Sequence, residues 1–358
     1  MKIAAATTRF ETWLGRHITL LPEDLDLKHR QMRESPFLFL RATFYRWAQV
    51  WSEVCPDVAL APAALAVGDL HVENFGTWRD SEGRLVWGIN DFDEAWWLPY
   101  TIDLLRLAVS VNLASRESRL AIRPDQAAEA ILEGYAKAIE AGGRPLVLAE
   151  AHPALHEMAA YRLKDPQRFW QKLDSLAPLE TDAVPPSAVK AMRRMMPGPE
   201  LPLRISHRVA GMGSLGRERF VAVADWQGGR LAREAKAAAP SACVWALREK
   251  ETGEVLYQTI LDRSIRCPDP YVRLKGRWIV RRLAPDCARI ELSALPADSD
   301  AIRLLHAMGW ETANIHLGTL EARSIRRDLS RRPPQWLPRA AARMAEAVAE
   351  DWERWRAG

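Results

Sequence analysis

Gly68-Asp69-Leu70-His71-Val72-Glu73-Asn74 sets a carboxylate and a side-chain amide five positions apart, and Asp91-Phe92-Asp93 follows seventeen residues after Asn74. Phosphoryl transfer from a nucleotide needs few protein groups. One carboxylate orients the attacking hydroxyl and accepts its proton, while an amide and a second carboxylate hold Mg²⁺ on the phosphates. Asp69 fits the first role, and Asn74 and Asp91 fit the second, because a hard cation takes oxygen ligands. An Asp five residues before an Asn is common. The joint pattern, with the strand-like Arg84–Ile89 leading into Asp91, is far more specific.

A second motif lies downstream. Gly211-Met212-Gly213-Ser214-Leu215-Gly216 fits G-x-G-x-x-G, whose meaning depends on its flanks. A dinucleotide loop leads from strand into helix, whereas a phosphate flap joins two strands. Leu203–Val209 alternates apolar and polar residues before the glycines, and the strand-like Phe220–Ala224 follows. Two-strand flanking favours a flap in which Gly211, Gly213, Ser214 and Gly216 close over phosphates, against a plain hairpin turn. Lys236, twenty residues past Gly216, ends the next strand-like stretch, Arg230–Lys236, and is placed to reach a nucleotide. Arg233 competes for that role.

The elements that must position these groups read as follows. Ser35 as N-cap and Pro36 in the first turn open a buried helix over 36–54. Ala63–Val67 is a short apolar stretch before the first motif. Helical periodicity covers Thr101–Ser115, Pro124–Ala141 and Ala154–Leu176. Pro185, Pro186, Pro197, Pro199 and Pro202 mark a connection with little periodicity. Strand patterns then hold from Leu203 to Leu283, including Arg277–Leu283, and helix returns from Ala301, ending in Ala340–Arg356. The reading is α+β, with a β-rich block between two helical ones.

Composition narrows the class. The 358 residues carry 50 basic and 46 acidic side chains, a net charge of +4. That is too small an excess for a dedicated nucleic-acid binder. The longest apolar run, Val58–Val67, is too short and proline-broken for a membrane span. Met1–Leu21 has no apolar core of a signal peptide, so the expected location is cytoplasmic. Cys55, Cys243, Cys267 and Cys287 form no C-x-x-C pair and read as free thiols. The paired tryptophans Trp47/Trp51 and Trp96/Trp97 read as core. The arginine-rich stretch Arg323–Arg332 reads as a solvated face.

The stretches Met32–Arg41, Gly68–Gly76, Asn90–Glu94, Asp103–Leu107 and Val209–Gly216 resemble a bacterial family catalogued as domain of unknown function 2252, with a weaker echo in Glu311–His316. That family is thought to be kinase-like. Gly68–Asn74 and Asp91–Asp93 are also similar to the signature of aminoglycoside and choline phosphotransferases. The resemblance implies a two-lobed protein-kinase-like α+β fold in which Asp69 is catalytic, Asn74 and Asp91 hold Mg²⁺, and Asp93 is an auxiliary metal carboxylate. Asp103 would brace the catalytic loop from behind. Lys236 sits five residues before Ser241, the family's register, although the usual Glu and Ala after the lysine are Ala237 and Ala238 here. Glu249 and Glu254 are the candidate partners of the lysine.

The motifs run in the reverse of the usual kinase order, so the resemblance implies a circular permutation, which surface-located termini permit. Residues 1–200 would form the helical catalytic lobe, 201–300 the β-rich nucleotide lobe, and 301–358 helices returning to the first. The expected reaction is ATP- and Mg²⁺-dependent transfer of the γ-phosphate to a hydroxyl of a small molecule or protein. Adenine would rest near the main chain of Arg281–Leu283. The alternatives are a nucleotide-binding pseudokinase and a metal-dependent phosphoesterase opened by Asp69-Leu70-His71. The same fold also hosts adenylyl transfer.

Overall fold

A computed structural model describes residues 1–117, 122–148, 152–160, 165–249, 253–288 and 298–358. Helix-forming patterns at the amino end give Ile3–Leu14, Pro22–Gln31, Pro36–Ala42 and Phe44–Val54. Ser35 caps the third of these, accepting from the Leu38 amide at 3.2 Å. The expected single helix over 36–54 is broken at Thr43 (φ −125°, ψ 38°). The break leaves the Leu40 carbonyl to a weak 3.3 Å turn bond and to the Arg106 guanidinium at 2.8 Å. A side chain far along the sequence thus takes over where the helix stops.

Strand β1 (Ala63–Ala66) leads into the first motif, and β2 (Phe75–Arg79) and β3 (Leu85–Ile89) form a hairpin between the two acidic motifs. β4 (Trp96–Pro99) returns to pair antiparallel with β1, and β5 (Leu146–Val147) adds to β3. β3 is buried at every position, so it lacks the two-residue alternation of a half-covered strand. Helix Thr101–Glu117 is buried from Thr101 through Leu113. A helix apolar nearly all round belongs in an interior, and the Asp103 and Arg106 it carries there must find partners. Pro124–Ala141 ends at the left-handed Gly142, as the double glycine foretells.

Ala154–Leu176 resolves into Pro153–Ala160 and Pro166–Asp174, with 161–164 outside the described residues. Asp165 caps the second piece. The proline-marked connection is not structureless: Pro186–Arg193 is a helix with its proline at the first turn, where no donor is lost. Beyond it lies an antiparallel five-stranded sheet ordered β6-β7-β8-β10-β9. Its strands are β6 (Arg204–His207), β7 (Arg219–Trp226), β8 (Gly229–Ala237), β9 (Arg273–Lys275) and β10 (Trp278–Leu283).

The chain is therefore mixed α+β, with three separate small sheets among the described residues. One face of the five-stranded sheet (Phe220, Ala222, Ala235, Ala237, Trp278 and Val280) joins the main hydrophobic core. On the other, Val221, Val223 and Ala232 are covered by Leu173 of Pro166–Asp174, with Phe169 and Trp170 beside it. Asp298–His316 packs along Pro124–Ala141, and Trp336–Ala357 closes against Thr101–Glu117. Cys55 and Cys243 are buried, Cys267 and Cys287 are half-buried, and among the described residues none of the four is in a disulfide. No described helix is long and apolar enough to cross a membrane.

Candidate functional site

The first motif leaves β1 under restraint. Asp103 on the central helix accepts from the amides of Val67 at 2.7 Å and Gly68 at 2.9 Å. The same carboxylate meets His316 Nε2 at 3.0 Å, and Tyr135 hydroxyl reaches His316 Nδ1 at 2.9 Å. Asp103 and His316 are both fully buried. This network holds the turn that presents Asp69. Three residues along the same helix, Arg106 grips Asp69 Oδ1 with both Nε (3.0 Å) and Nη2. The guanidinium lies over the rings of Phe44 and Trp47 at 5.1 and 4.9 Å. Burial pushes the Asp69 carboxyl up to about 7, with Arg106 pulling against it.

Asn74 ends a short turn, Val72–Asn74, in which His71 and Asn74 cap each other. The Asn74 Oδ1 accepts from the His71 amide at 2.6 Å and keeps a second lone pair. His71 Nδ1 accepts from the Glu73 amide at 3.2 Å, so the histidine shapes the loop. Glu73 pairs with Arg41 at 2.9 Å.

The second acidic segment follows β3 directly. Lys236, at the far end of β8, comes 2.5 Å from Asp93 Oδ2 and 3.4 Å from Asp91 Oδ1. Burial alone would raise Asp91, but Lys236 and then Arg281 outweigh it and hold the carboxyl well below the usual carboxylate range. Asp93 moves the other way, pushed up by burial and by the neighbouring Asp91 charge. Arg217 pairs with Glu94 at 3.1 Å and stands 3.7 Å from Asp93. Glu94 also accepts from the Ala242 amide at 2.6 Å and from Ser241 at 3.2 Å, and burial raises its carboxyl.

The glycine segment joins β6 to β7 and folds over these acids. Gly211, Met212, Gly213 and Ser214 line one cleft together with Arg41, Asp69, His71, Asn74, Asp91, Asp93, Glu94 and Arg217. A methyl group on Gly213 would sit 3.0 Å from the Arg41 carbonyl and 3.2 Å from Asp69 Oδ2. The turn is therefore a close cover, and a residue without a side chain is needed there.

Among the residues expected at the site, Asp69, Asn74, Asp91, Asp93, Gly211, Gly213 and Ser214 meet at this cleft, and Lys236 reaches its carboxylates from the third strand of the sheet. Gly216 does not line it. Its backbone (φ +93°) is held against the amino end of the chain, where its carbonyl accepts from the Leu21 amide at 2.8 Å. Arg233 stands apart as well, bonding the Met195 carbonyl at 2.9 Å and stacking on Tyr271. Three residues before Lys236 on one strand, it falls on the opposite face. The carboxylates paired with Lys236 are Asp91 and Asp93; Glu249 instead accepts from Trp96 Nε1 at 3.1 Å. The main chain of Arg281–Leu283 runs in register with Ala232–Glu234.

Sequence reasoning missed Arg41, Arg106 and Arg217. Each lies inside or beside a quoted motif; Arg41 and Arg106 are strong cations placed among apolar residues, a pattern that demands a buried partner, whereas Arg217, between Gly216 and Glu218, carries no such signal. The Glu311–His316 echo also gains a purpose. Glu311 accepts from the Ile89 amide at 3.3 Å and Asn314 holds Glu311 at 2.9 Å, while His316 holds Asp103.

Residues 20–173 match the model of a family described as an uncharacterized protein conserved in bacteria, DUF2252. The matched stretch contains Asp69, Asn74, Asp91, Asp93, Asp103 and Arg106, and ends before the five-stranded sheet. No curated protein matches the chain, and no solved structure does.

The donor set suits a hard divalent ion. Asp93 Oδ1 is buried with no hydrogen-bond partner among the described residues, and it lines the cleft beside Asp91 and Asn74. Among the described residues no three His, Cys, Asp or Glu side chains form a ready metal cage. A Mg²⁺ ion carried in by substrate phosphates needs only one or two protein carboxylates.

Proposed function

We propose that the protein is an ATP- and Mg²⁺-dependent phosphotransferase of kinase-like, circularly permuted architecture, acting on a hydroxyl of a small molecule or protein. One observation carries the reading: the glycine turn covers the same cleft that Asp69, Asn74, Asp91 and Asp93 floor, although more than a hundred residues separate the two. A lysine on the third strand, after a glycine loop between the first two, adds to it. In this reading residues 1–200 and 301–358 make the catalytic lobe and 201–300 the nucleotide lobe.

Asp69 would orient the acceptor hydroxyl and take its proton. Asn74, Asp91 and Asp93 would hold Mg²⁺, which neutralises charge on the phosphates when bound. The backbone of Gly211–Ser214 would cover those phosphates, and Lys236 would move from Asp91 and Asp93 to pair with them. The test is ATP consumption with Mg²⁺ during a screen of hydroxylated metabolites and proteins. Asp69→Asn should lower turnover by roughly 10²–10⁴-fold with ATP still bound, and Asp91→Asn should abolish the metal dependence of binding. Turnover unchanged in Asp69→Asn would overturn the assignment.

One feature favours a nucleotide-binding regulator as the second reading. Asp69 Oδ1 is held twice by Arg106, which restrains a proton acceptor. ATP binding without turnover in the same assay would select that alternative.

A further inference from the structure

The strand residues on either side of the glycine turn carry charges that the catalytic scheme leaves unused. Arg208 follows β6, Arg219 opens β7 and Arg281 lies in β10. All three converge on Glu234 of β8, with Arg219 Nη1 at 2.9 Å, Arg281 Nε at 2.8 Å and Arg208 Nη1 also in contact. In the sheet register Arg219 lies opposite Lys236 and Arg281 opposite Glu234, so these groups share the face that bears the cleft lysine.

Three guanidiniums share one carboxylate, and even with Asp91, whose charge acts on Arg281 and Arg219, the cluster keeps a positive excess. Such an excess in a half-buried site costs desolvation without matching attraction. Glu234 is 1% exposed, whereas Arg208 and Arg281 are 23% and 24% exposed. The two outer arginines are therefore within reach of a ligand. Arg208 uses one N–H on Glu234 and Arg281 another, and neither guanidinium makes a further hydrogen bond among the described residues. Arg219 continues to Ser214 Oγ at 2.5 Å, which ties the cluster to the glycine turn. On the same sheet face Val221, Val223 and Ala232 are covered by Leu173, with Phe169 and Trp170 beside it, and Ile279, opposite Lys236, joins the main core.

We propose that Arg208, Arg219 and Arg281 form a subsite for a phosphate chain on the sheet face beneath the glycine turn, so that a polyphosphate ligand is held there by its anionic chain. Planar guanidiniums suit phosphate because they offer paired donors in a fixed fork. The ligand class rests on the phosphotransferase reading, but the subsite can be measured without any turnover.

The experiment is calorimetric titration of the whole chain with inorganic tripolyphosphate, and separately with adenosine, in metal-free buffer. Tripolyphosphate should bind, Arg208→Gln and Arg281→Gln should each weaken it at least about tenfold, and adenosine should give no measurable binding. Arg230→Gln, at the outer end of β8 against Asp174, should leave affinity unchanged. Glu234→Gln removes the competing carboxylate and should tighten binding, a gain that a misfolded chain cannot produce. Unchanged affinity in both arginine variants, weaker binding in Glu234→Gln, or adenosine binding as tightly as tripolyphosphate would overturn the subsite. If tripolyphosphate behaves as expected and no ATP is consumed with any acceptor, the subsite stands and the phosphotransferase reading falls. If the arginine variants bind normally while turnover depends on Asp69, the reverse holds.

Discussion

Asp69 is caught between two opposing influences, burial that raises its carboxyl to about 7 and the Arg106 guanidinium that lowers it. Only the ionised carboxylate accepts a proton, so activity should climb with pH along a limb centred near 7. Arg106→Lys keeps the charge but loses the two-point grip. It should move that limb upward and reduce kcat near neutral pH, with KM for ATP little changed; a pH–rate profile of both proteins reads this. Stability carries the same sign. The folded-state value lies above the ordinary 3.8, so the folded chain binds this proton more tightly, and the cost of the buried charge is full above pH 7 and disappears toward pH 4. Asp69→Asn should therefore melt higher than wild type at pH 8, with the difference vanishing near pH 4. At this scale the sequence was informative about types and poor about partners. The spacing of Asp69, Asn74 and Asp91 named the acids, but the Arg106 grip depends on a helix crossing that no local pattern records. The misplaced Arg233 was avoidable, since strand alternation alone puts it opposite Lys236.

Elements fix the distance between floor and cover. Pro124–Ala141 and Asp298–His316 cross so closely that a methyl group on Gly134 would strike the His306 carbonyl, and one on Gly309 the Ile131 carbonyl. Gly134→Ala and Gly309→Ala should each cost about 1–3 kcal/mol in urea denaturation, the usual price of overpacking. The double variant should fall short of the sum, because both relieve strain by parting the same pair. Secondary structure was legible where its period was clean: the alternation of Leu203–Val209 became β6, and the pattern of Pro124–Ala141 held to both ends. It failed where tertiary contacts overrule local preference. Thr43 interrupts a sound helical pattern so that Leu40 can receive Arg106, and Pro186–Arg193 is helical within a proline cluster because a proline at the first turn loses nothing. β2 and the three-residue β9 escaped notice because short strands with little alternation look like loop.

At the scale of the whole molecule, the site draws on distant parts of the chain: acids from residues 69–94, the cover and Lys236 from 211–236, and the brace from His316. His316→Ala would leave Asp103 one partner short in a dry interior. We expect about 1–3 kcal/mol of lost stability and a larger proportional loss of any turnover, measurable by denaturation and assay of the same preparation. The α+β class and the β-rich middle were legible from texture alone, and the reversed motif order was plain in the sequence. The meeting of the motifs was not, because it rests on ion pairs such as Lys236–Asp93 and Arg217–Glu94 that span well over a hundred residues. A ribosome delivers the acidic motifs long before their counter-charges, and His316 later still. Chains cut short before Arg217 would emerge with Asp91, Asp93 and Glu94 uncompensated, so premature termination there should yield inert protein instead of a weakened version of the whole.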